Sequence, residues 1–283
     1  MTFDISDGLD RFRAEALARG IPSTDVERWL GTARRCATLS PYLDGPVVGR
    51  FGGPLMLPAD VPTPEWNVHL IASLDLAALP EGATDLPLPS DGRLLLLANP
   101  DGLEAAYRVP SIGDAVYIPA GTPVEERHID HGYEDYDEFA ELDSELEGEL
   151  RLRHGFSLPD HDSIIDTAQH PYARELREAW SEVRSGDLDL TKGTQLQIGG
   201  YATDEYGELD PVTMSAELAA EAETKGHRPG SGEMTPPEDW ALLAQWIPGI
   251  DGLEGAFVHW AIRRQDVAAR RFDRGYASMF FNP

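Results

Sequence analysis

The chain has 283 residues and a formal net charge of −27 at neutral pH. Such an excess of Asp and Glu disfavours nucleic-acid binding, which rests on Lys and Arg neutralising phosphates. It also disfavours binding to anionic membrane surfaces. We therefore expect no nucleic-acid or membrane partner, and a charged partner would be a basic protein. A host proteome biased toward acidic residues is the alternative explanation of the charge.

The chain length and the single cysteine restrict which class of protein this can be. A chain of this length can bury a large core without a disulfide or a metal. Cys36 is the single cysteine, so no intramolecular disulfide can form, as is usual in a reducing compartment. The first ten residues hold no apolar signal region, and apolar runs such as Leu94–Ala98 are far shorter than a membrane span. We expect a soluble, cytoplasmic protein.

Residues 1–40 are predicted to form an N-terminal helical hairpin. A first apolar stripe ends at Gly20. A second helix opens with the capping-box pattern Thr24–Glu27 and is expected to continue to Cys36. At that helix end, Arg34 and Arg35 would lower the pKa of the Cys36 thiol, although a lone cysteine is also typical of simple packing.

The remaining residues, 41–283, are predicted to form one α+β domain. Short apolar runs separated by turn signals indicate antiparallel strands. In residues 41–120 these strands are expected at 68–76, 93–98, 105–109 and 115–118. In residues 193–283 they are expected at 195–198, 240–247, 256–262 and 276–281, with a helix at 215–223 and a helical turn or two at 264–271.

Residues 121–190 are predicted to be an acidic helical insertion between these two strand-rich stretches. Apolar residues recur there at steps of three and four, as on one face of a helix: Tyr136, Phe139, Leu142, Leu146 and Leu150. A second helix is expected over about 172–183, after Pro171.

A faint internal repeat links the two strand-rich stretches. In each, a Gly-Gly pair is followed by an apolar strand, a turn and another apolar strand. The first copy uses Gly52-Gly53 with strands at 70–75 and 92–97, and the second uses Gly199-Gly200 with strands at 242–247 and 255–260. The repeat predicts two similar antiparallel halves that share one core.

The same elements resemble the YwqG-like family. The resemblance rests on Arg50–Pro54 with Leu57-Pro58, on His69–Leu79, on Gln197–Tyr201, on Trp240–Gln245 and on Gly255–Ala269. It spans about residues 40–281 and implies an α+β fold with two similar halves, but no reaction. Two positions depart from the pattern: Trp246–Gly249 replaces the usual acidic residues, and Leu196-Gln197 replaces a polar pair.

The Gly-Gly pairs are the first candidate binding residues. Glycine permits positive φ angles and close backbone approach, so the N–H groups at Gly52, Gly53, Gly199 and Gly200 could cradle an anion or a peptide carboxylate. The alternative is a corner where strands pack. Neither pair fits a phosphate-binding loop or a dinucleotide fingerprint, so no cofactor is expected.

Gln245 is the other candidate, because it lies inside an apolar strand, where its amide needs partners. It would either bind a ligand or tie two strands together. No metal site is expected, since His128 and His131 have no third ligand at a recognisable spacing. A second scatter of polar residues, His154 to His170, includes no nucleophile motif, and catalytic residues stay unknown.

We interpret the chain as a non-catalytic binding protein of unassigned function. Its partner would be a basic protein, such as a toxin that it neutralises by charge complementarity. The rival hypotheses are an enzyme or small-molecule sensor with a site in the cleft between the halves, and a purely structural module. The oligomeric state is not predicted.

Overall fold

The computed structural model describes residues 5–64, 68–100, 111–129, 142, 146–187, 194–204, 209–227, 236–250 and 252–280. Within these residues five α-helices are found: α1 Ile5–Ala18, α2 Ser23–Leu30, α3 Ala173–Asp187, α4 Pro211–Thr224 and α5 Arg264–Ala268. The strands of the first part are β1 Arg34–Ser40, β2 Val47–Phe51, β3 Leu55–Leu57, β4 His69–Asp75, β5 Arg93–Ala98 and β6 Gly113–Ile118. Those that follow are β7 Glu125–Arg127, β8 Glu149–Ser157, β9 Gln195–Ile198, β10 Trp240–Ile247, β11 Phe257–Arg263 and β12 Tyr276–Phe280.

Ten of these strands form one antiparallel sheet in the order β12-β11-β10-β9-β1-β8-β2-β4-β5-β6. The sheet curves until its edge strands approach each other, so it is nearly barrel-shaped. Ile112 donates its N–H to the carbonyl of Ala277 at 3.2 Å, and the N–H of Ala277 donates to the hydroxyl of Ser111. These bonds join β12 to the residues just before β6, so the backbone groups of Ala277 at this edge are paired.

The inner face of the sheet holds the main apolar core. Its members include Leu39, Leu94, Leu96, Trp246 and Trp260, all nearly inaccessible to solvent. Because successive residues of a strand point to opposite faces, Leu95 and Leu97 point outward and need a cover. The small β3–β7 ribbon supplies it through Leu55 and Leu57.

Helices cover two other parts of the outer face. The apolar sides of α1, α2 and α3 meet in one cluster that includes Phe12, Trp29, Leu176 and Trp180. Helix α4 packs Val212, Ala216 and Ala219 against the outer face of β10 to β12. The described chain therefore combines a large antiparallel sheet with packed helices, which confirms the α+β prediction.

Most predicted strands are found within a residue or two of their expected bounds, and β5, β9 and β10 match them fully. The run at 105–109 lies outside the described residues. Two helical expectations are wrong. The second helix ends at Leu30 and the chain then forms β1, while residues 149–157 of the expected helical insertion form β8. These two strands pair with each other near the centre of the sheet.

The predicted division into a hairpin at 1–40 and a domain at 41–283 stays a prediction, although β1, from the first segment, lies inside the sheet. In the part of the chain that the structure describes, no helix is both long and apolar enough to cross a membrane.

Candidate functional site

The two Gly-Gly turns lie at opposite ends of the sheet. Gly52 follows β2, whose Arg50 is opposite Glu149 at the first residue of β8. Gly199 follows β9, whose Ile198 is opposite Ala37 in the middle of β1, and the chain of β9 runs from there toward the start of β1. Because β8 and β1 are antiparallel, the start of β1 lies at the far end of β8. The two turns therefore do not meet in one cleft.

The first turn is covered by the polypeptide itself. The N–H of Gly52 donates to the carbonyl of Ile71 at 3.0 Å, and a Cβ at Gly52 would lie 2.2 Å from the carbonyl oxygen of Leu146. The guanidinium of Arg50 folds back over Gly53, which is exposed. Close packing thus explains the glycine at position 52.

The second turn uses its N–H groups inside the protein. Gly199 donates to the carbonyl of Leu243 at 3.3 Å, Gly200 to a carboxylate oxygen of Asp85 at 2.9 Å, and Tyr201 to the hydroxyl of Ser157 at 2.8 Å. Both glycines are buried and have φ angles of 70° and 79°. The turn does hold an anion, and that anion is a side chain of the same chain.

A row of polar side chains crosses the outer face of the sheet beside this turn. Strand pairing places Gln197, Gln245, His259 and Ser278 side by side on β9, β10, β11 and β12. Gln245, His259 and Ser278 are buried. The irregular segment 201–204 and helix α4 lie over this row, where backbone groups without a strand partner need other hydrogen bonds.

The row supplies those bonds. Gln245 accepts from the N–H of Thr203 and donates to its hydroxyl, both at 2.8 Å. Gln197 donates to the carbonyls of Gly199 and Tyr201, each at 2.9 Å. Gln245 thus has the geometry of a tie between strand β10 and the covering segment.

Two buried histidines lie at this layer. His259 hydrogen-bonds the carbonyl of Thr203 through Nε2 at 2.9 Å, and burial lowers its pKa to about 4, so it is neutral near pH 7. His161 is also inaccessible; its Nε2 lies 3.1 Å from a carboxylate oxygen of Asp204 and its Nδ1 3.8 Å from one of Asp210. Asp210 also caps helix α4 by accepting the N–H of Thr213.

In the described residues, neither Cys36 nor any metal-binding cluster has the geometry of a reactive site. Cys36 lies within β1 and not at a helix end, and its burial raises the pKa of its thiol to about 12, so the expected lowering by Arg34 and Arg35 is wrong. Among the described residues no group of three or more His, Cys, Asp or Glu side chains could hold a metal. His131 lies outside those residues.

A cavity of about 370 Å³ lies under the loop between β4 and β5. Leu76, Leu79, Leu86 and Leu88 line it, with Glu81, Thr84 and Ser90 as polar members. Asp85 belongs to the same loop, but its carboxylate faces the Gly199-Gly200 turn and Arg264. Nothing in the sequence around Asp85 or Arg264 marks them, because their partners are more than 100 positions away.

A comparison with known families finds that the model of a family described as "Domain of unknown function (DUF1963)" matches residues 49–279. A search of curated proteins finds no match. The matched range includes both Gly-Gly turns, the polar row and the loop that carries Asp85. The resemblance to the YwqG-like family is not tested by this match and stays a prediction.

Proposed function

The chain belongs to the family described as a domain of unknown function, DUF1963, and since that description names no activity, we propose from its charge and geometry that it is a non-catalytic binding protein for a basic protein partner. A concrete form of this function is the neutralisation of a basic toxin by charge complementarity. The proposal takes the partner to bind at an acidic surface and assigns no residue a chemical step.

The uneven distribution of charge along the chain carries this proposal. Residues 125–149 hold twelve acidic residues and one arginine, a net charge of −11. Residues 205–240 hold nine acidic residues against one lysine and one arginine, a net charge of −7. Residues 1–40 have six of each sign and are neutral. A proteome-wide bias toward acids would spread the charge more evenly, so the clustering favours a binding surface.

The described ends of the first acidic segment support a surface role. Leu142 and Leu146 are buried in the main core, and Leu150 begins the buried face of β8. Glu147 and Glu149, which alternate with these leucines, are exposed. Because these buried leucines anchor the backbone, the positions of Glu147 and Glu149 are restricted. Less conformational entropy is then lost when a partner binds them.

Electrostatic attraction would act mainly on the association rate. A patch of one sign raises the rate at which an oppositely charged protein arrives, and the gain falls steeply as salt rises. Isolated exposed ion pairs add little to affinity by themselves. The expected signature is therefore binding that weakens with ionic strength, together with a dependence on the exposed acids at both ends of the segment.

A pull-down from the protein's own cells, at low and at moderate salt, tests this proposal with two matched variants. The first carries Gln at four exposed acids of the segment: Glu125, Glu126, Glu147 and Glu149. The control carries the same change of charge at four exposed acids outside both clusters: Asp44→Asn, Glu81→Gln, Glu178→Gln and Glu254→Gln. Wild type and control should retain one near-stoichiometric basic protein that the first variant loses.

An equal loss in both variants would mean that only net charge matters, which contradicts a defined surface. Equal retention of the same protein at low and at moderate salt would argue against an electrostatic partner. An empty pull-down at low salt would contradict the neutralisation of a basic protein altogether.

We also propose that the two strand-rich halves are related copies. The pairing registers support it: Phe51 is opposite Ala72 as Ile198 is opposite Ala244. In each copy the pairing register shifts at the residue just before that alanine, which is Ile71 in the first copy and Leu243 in the second. The carbonyl of this residue accepts the N–H of the first glycine of the pair.

A small-molecule sensor is the second candidate function, favoured by the cavity beneath the β4–β5 loop. Its volume of about 370 Å³ is within the range of small-ligand sites, and its lining combines leucines with polar side chains. Thermal shift with a panel of small ligands tests this candidate: a saturable rise in Tm with one of them supports it, and no rise with any of them argues against it.

A further inference from the structure

We propose that the Gly199-Gly200 turn, Arg264 and Arg34 form a binding site for the carboxylate of a small apolar acid, and that Asp85 occupies this site in the structure described above. The inference does not depend on the basic partner proposed above. It assigns the cavity under the β4–β5 loop to the apolar part of the same ligand.

The donors around Asp85 are those that recognise a free carboxylate. One oxygen accepts the N–H of Gly200 at 2.9 Å, and the other accepts Nη2 of Arg264 at 2.6 Å. Nε of Arg34 lies 4.0 Å from that second oxygen. Charge-assisted bonds of this kind from guanidinium and backbone N–H groups are the strongest class of hydrogen bonds to a carboxylate.

The backbone is shaped around the anion. A Cβ at Gly199 would lie 2.8 Å from the carboxylate of Asp85, and a Cβ at Gly200 2.3 Å from the hydroxyl of Ser157. Only glycine therefore lets the N–H approach the oxygen with φ angles near 70–80°. Consecutive N–H groups in such turns are known anion-binding concavities.

Two cations face one anion at this site. Arg34 is held in place over the ring of Tyr201 at 4.1 Å, while Arg264 also donates to the backbone carbonyl of Asp85 at 2.9 Å. The one carboxylate of Asp85 balances only one of the two guanidinium charges of Arg34 and Arg264. Such an excess of positive charge is unusual in a chain with a net charge of −27. The local charge would attract an acidic ligand despite the acidic surface elsewhere.

The loop that carries Asp85 is itself bonded and packed. Asp85 donates its N–H to the carbonyl of Arg35 at 3.1 Å, and Leu76 and Leu86 of the loop belong to the main core. A ligand would therefore displace only the carboxylate of Asp85, by rotation of that side chain to another rotamer, while the loop stays in place. Asp85 would then act as a tethered competitor that a ligand carboxylate replaces.

The cavity defines the class of ligand. Thr84 and Leu86, the neighbours of Asp85, line it, and the β-carbon of Thr84 also lies beside Gly199. We therefore place the apolar group of a ligand held by Gly200 in this cavity, against its leucines. The volume suits a ring or short chain with one acidic group. Phenylacetate is a simple probe of this chemistry, and phenylacetamide is its neutral counterpart of the same shape.

The test uses the full-length chain with Asp85→Ala, which removes the competitor. Thermal shift and calorimetry with phenylacetate should give saturable binding and a rise in Tm of about 2–3 °C at ten times the Kd. Phenylacetamide should give no rise. Wild type should bind phenylacetate about tenfold or more weakly, because the tethered carboxylate competes at a high effective concentration.

Further variants locate the site. In the Asp85→Ala chain, adding Arg264→Gln should weaken phenylacetate binding about 10- to 100-fold, and Arg264→Lys less. Adding Arg270→Gln, at an exposed arginine that does not contact Asp85, should change nothing. Leu79→Trp should weaken phenylacetate but spare acetate, because it fills only the cavity.

Equal responses to phenylacetate and phenylacetamide would overturn the proposal, as would binding that survives Arg264→Gln. In either case Asp85 would be a staple for the loop and nothing more. If Asp85→Ala does not fold, Asp85→Asn keeps the shape and the acceptor for Gly200 while weakening the bond to Arg264, and the same outcomes apply.

Discussion

Replacing Gln245 by leucine should destabilise the protein without changing its shape. The side chain is 2% exposed and makes two hydrogen bonds of 2.8 Å to Thr203. Leucine has a similar volume but leaves the N–H of Thr203 without its acceptor. The loss of two bonds, each worth about 1 kcal/mol, and the cost of an unpaired donor together give about 2–3 kcal/mol. Tm should fall by about 3–5 °C.

Urea unfolding measures this free energy, and its m value shows whether the unfolded state has changed. Gln195→Leu is the matched control, because the side chain of Gln195 makes no hydrogen bond within the described part of the chain; its effect should stay within about 0.5 kcal/mol. A double-mutant cycle with Thr203→Val should return a coupling near 1 kcal/mol. A cost of Gln245→Leu below about 0.5 kcal/mol would refute the tie and restore Gln245 as a ligand-binding candidate.

Two further predictions concern the same region. The pKa of His259 is lowered from 6.5 to about 4 by burial, so the unfolded chain binds its proton first, and stability is full above about pH 6.5 and falls as the pH drops toward 4. Urea melts should show that wild type loses about 2 kcal/mol more than His259→Gln between about pH 7.5 and 5, and parallel profiles would refute this. Gly200→Ala should cost about 3 kcal/mol or more, because its Cβ would overlap Ser157, whereas Gly121→Ala, at a similar φ with open space around it, should cost about 1 kcal/mol. Equal costs in the two melts would mean that the φ angle alone explains the glycines.

The sequence predicts the regular strands better than the strands at the centre of the sheet. Strands β5, β9 and β10 are apolar runs between turn signals, and nothing competes with that pattern. Leu150 fits two patterns at once. It extends a helical stripe from Leu142 and Leu146, and it begins the alternation Leu150-Arg151-Leu152-Arg153, which is that of β8. The alternation, together with Gly155, was the available signal.

The candidate site is less predictable because its partners are distant in the sequence. The Gly199-Gly200 pair and Gln245 are visible as a possible turn and as a polar residue in an apolar strand. What they bind depends on Asp85 and on segment 201–204, which reach them only after the sheet has curved. No local pattern encodes that curvature. The two glycine turns also look alike in sequence, although one is covered by Arg50 and the other by Asp85.

The proposed acidic surface and the proposed carboxylate site should act independently, because the sheet separates them. Gly148 bonds Phe51 at one end, whereas Arg34 and Asp85 lie at the other. Strand β1 alone spans seven residues, about 20 Å, which is roughly twice the screening length at physiological salt. Replacing Glu147 and Glu149 by Gln in the Asp85→Ala chain should therefore change the Kd of phenylacetate less than about twofold. Calorimetry measures it; a larger change would mean that the acids act on the site through the fold and not through solvent.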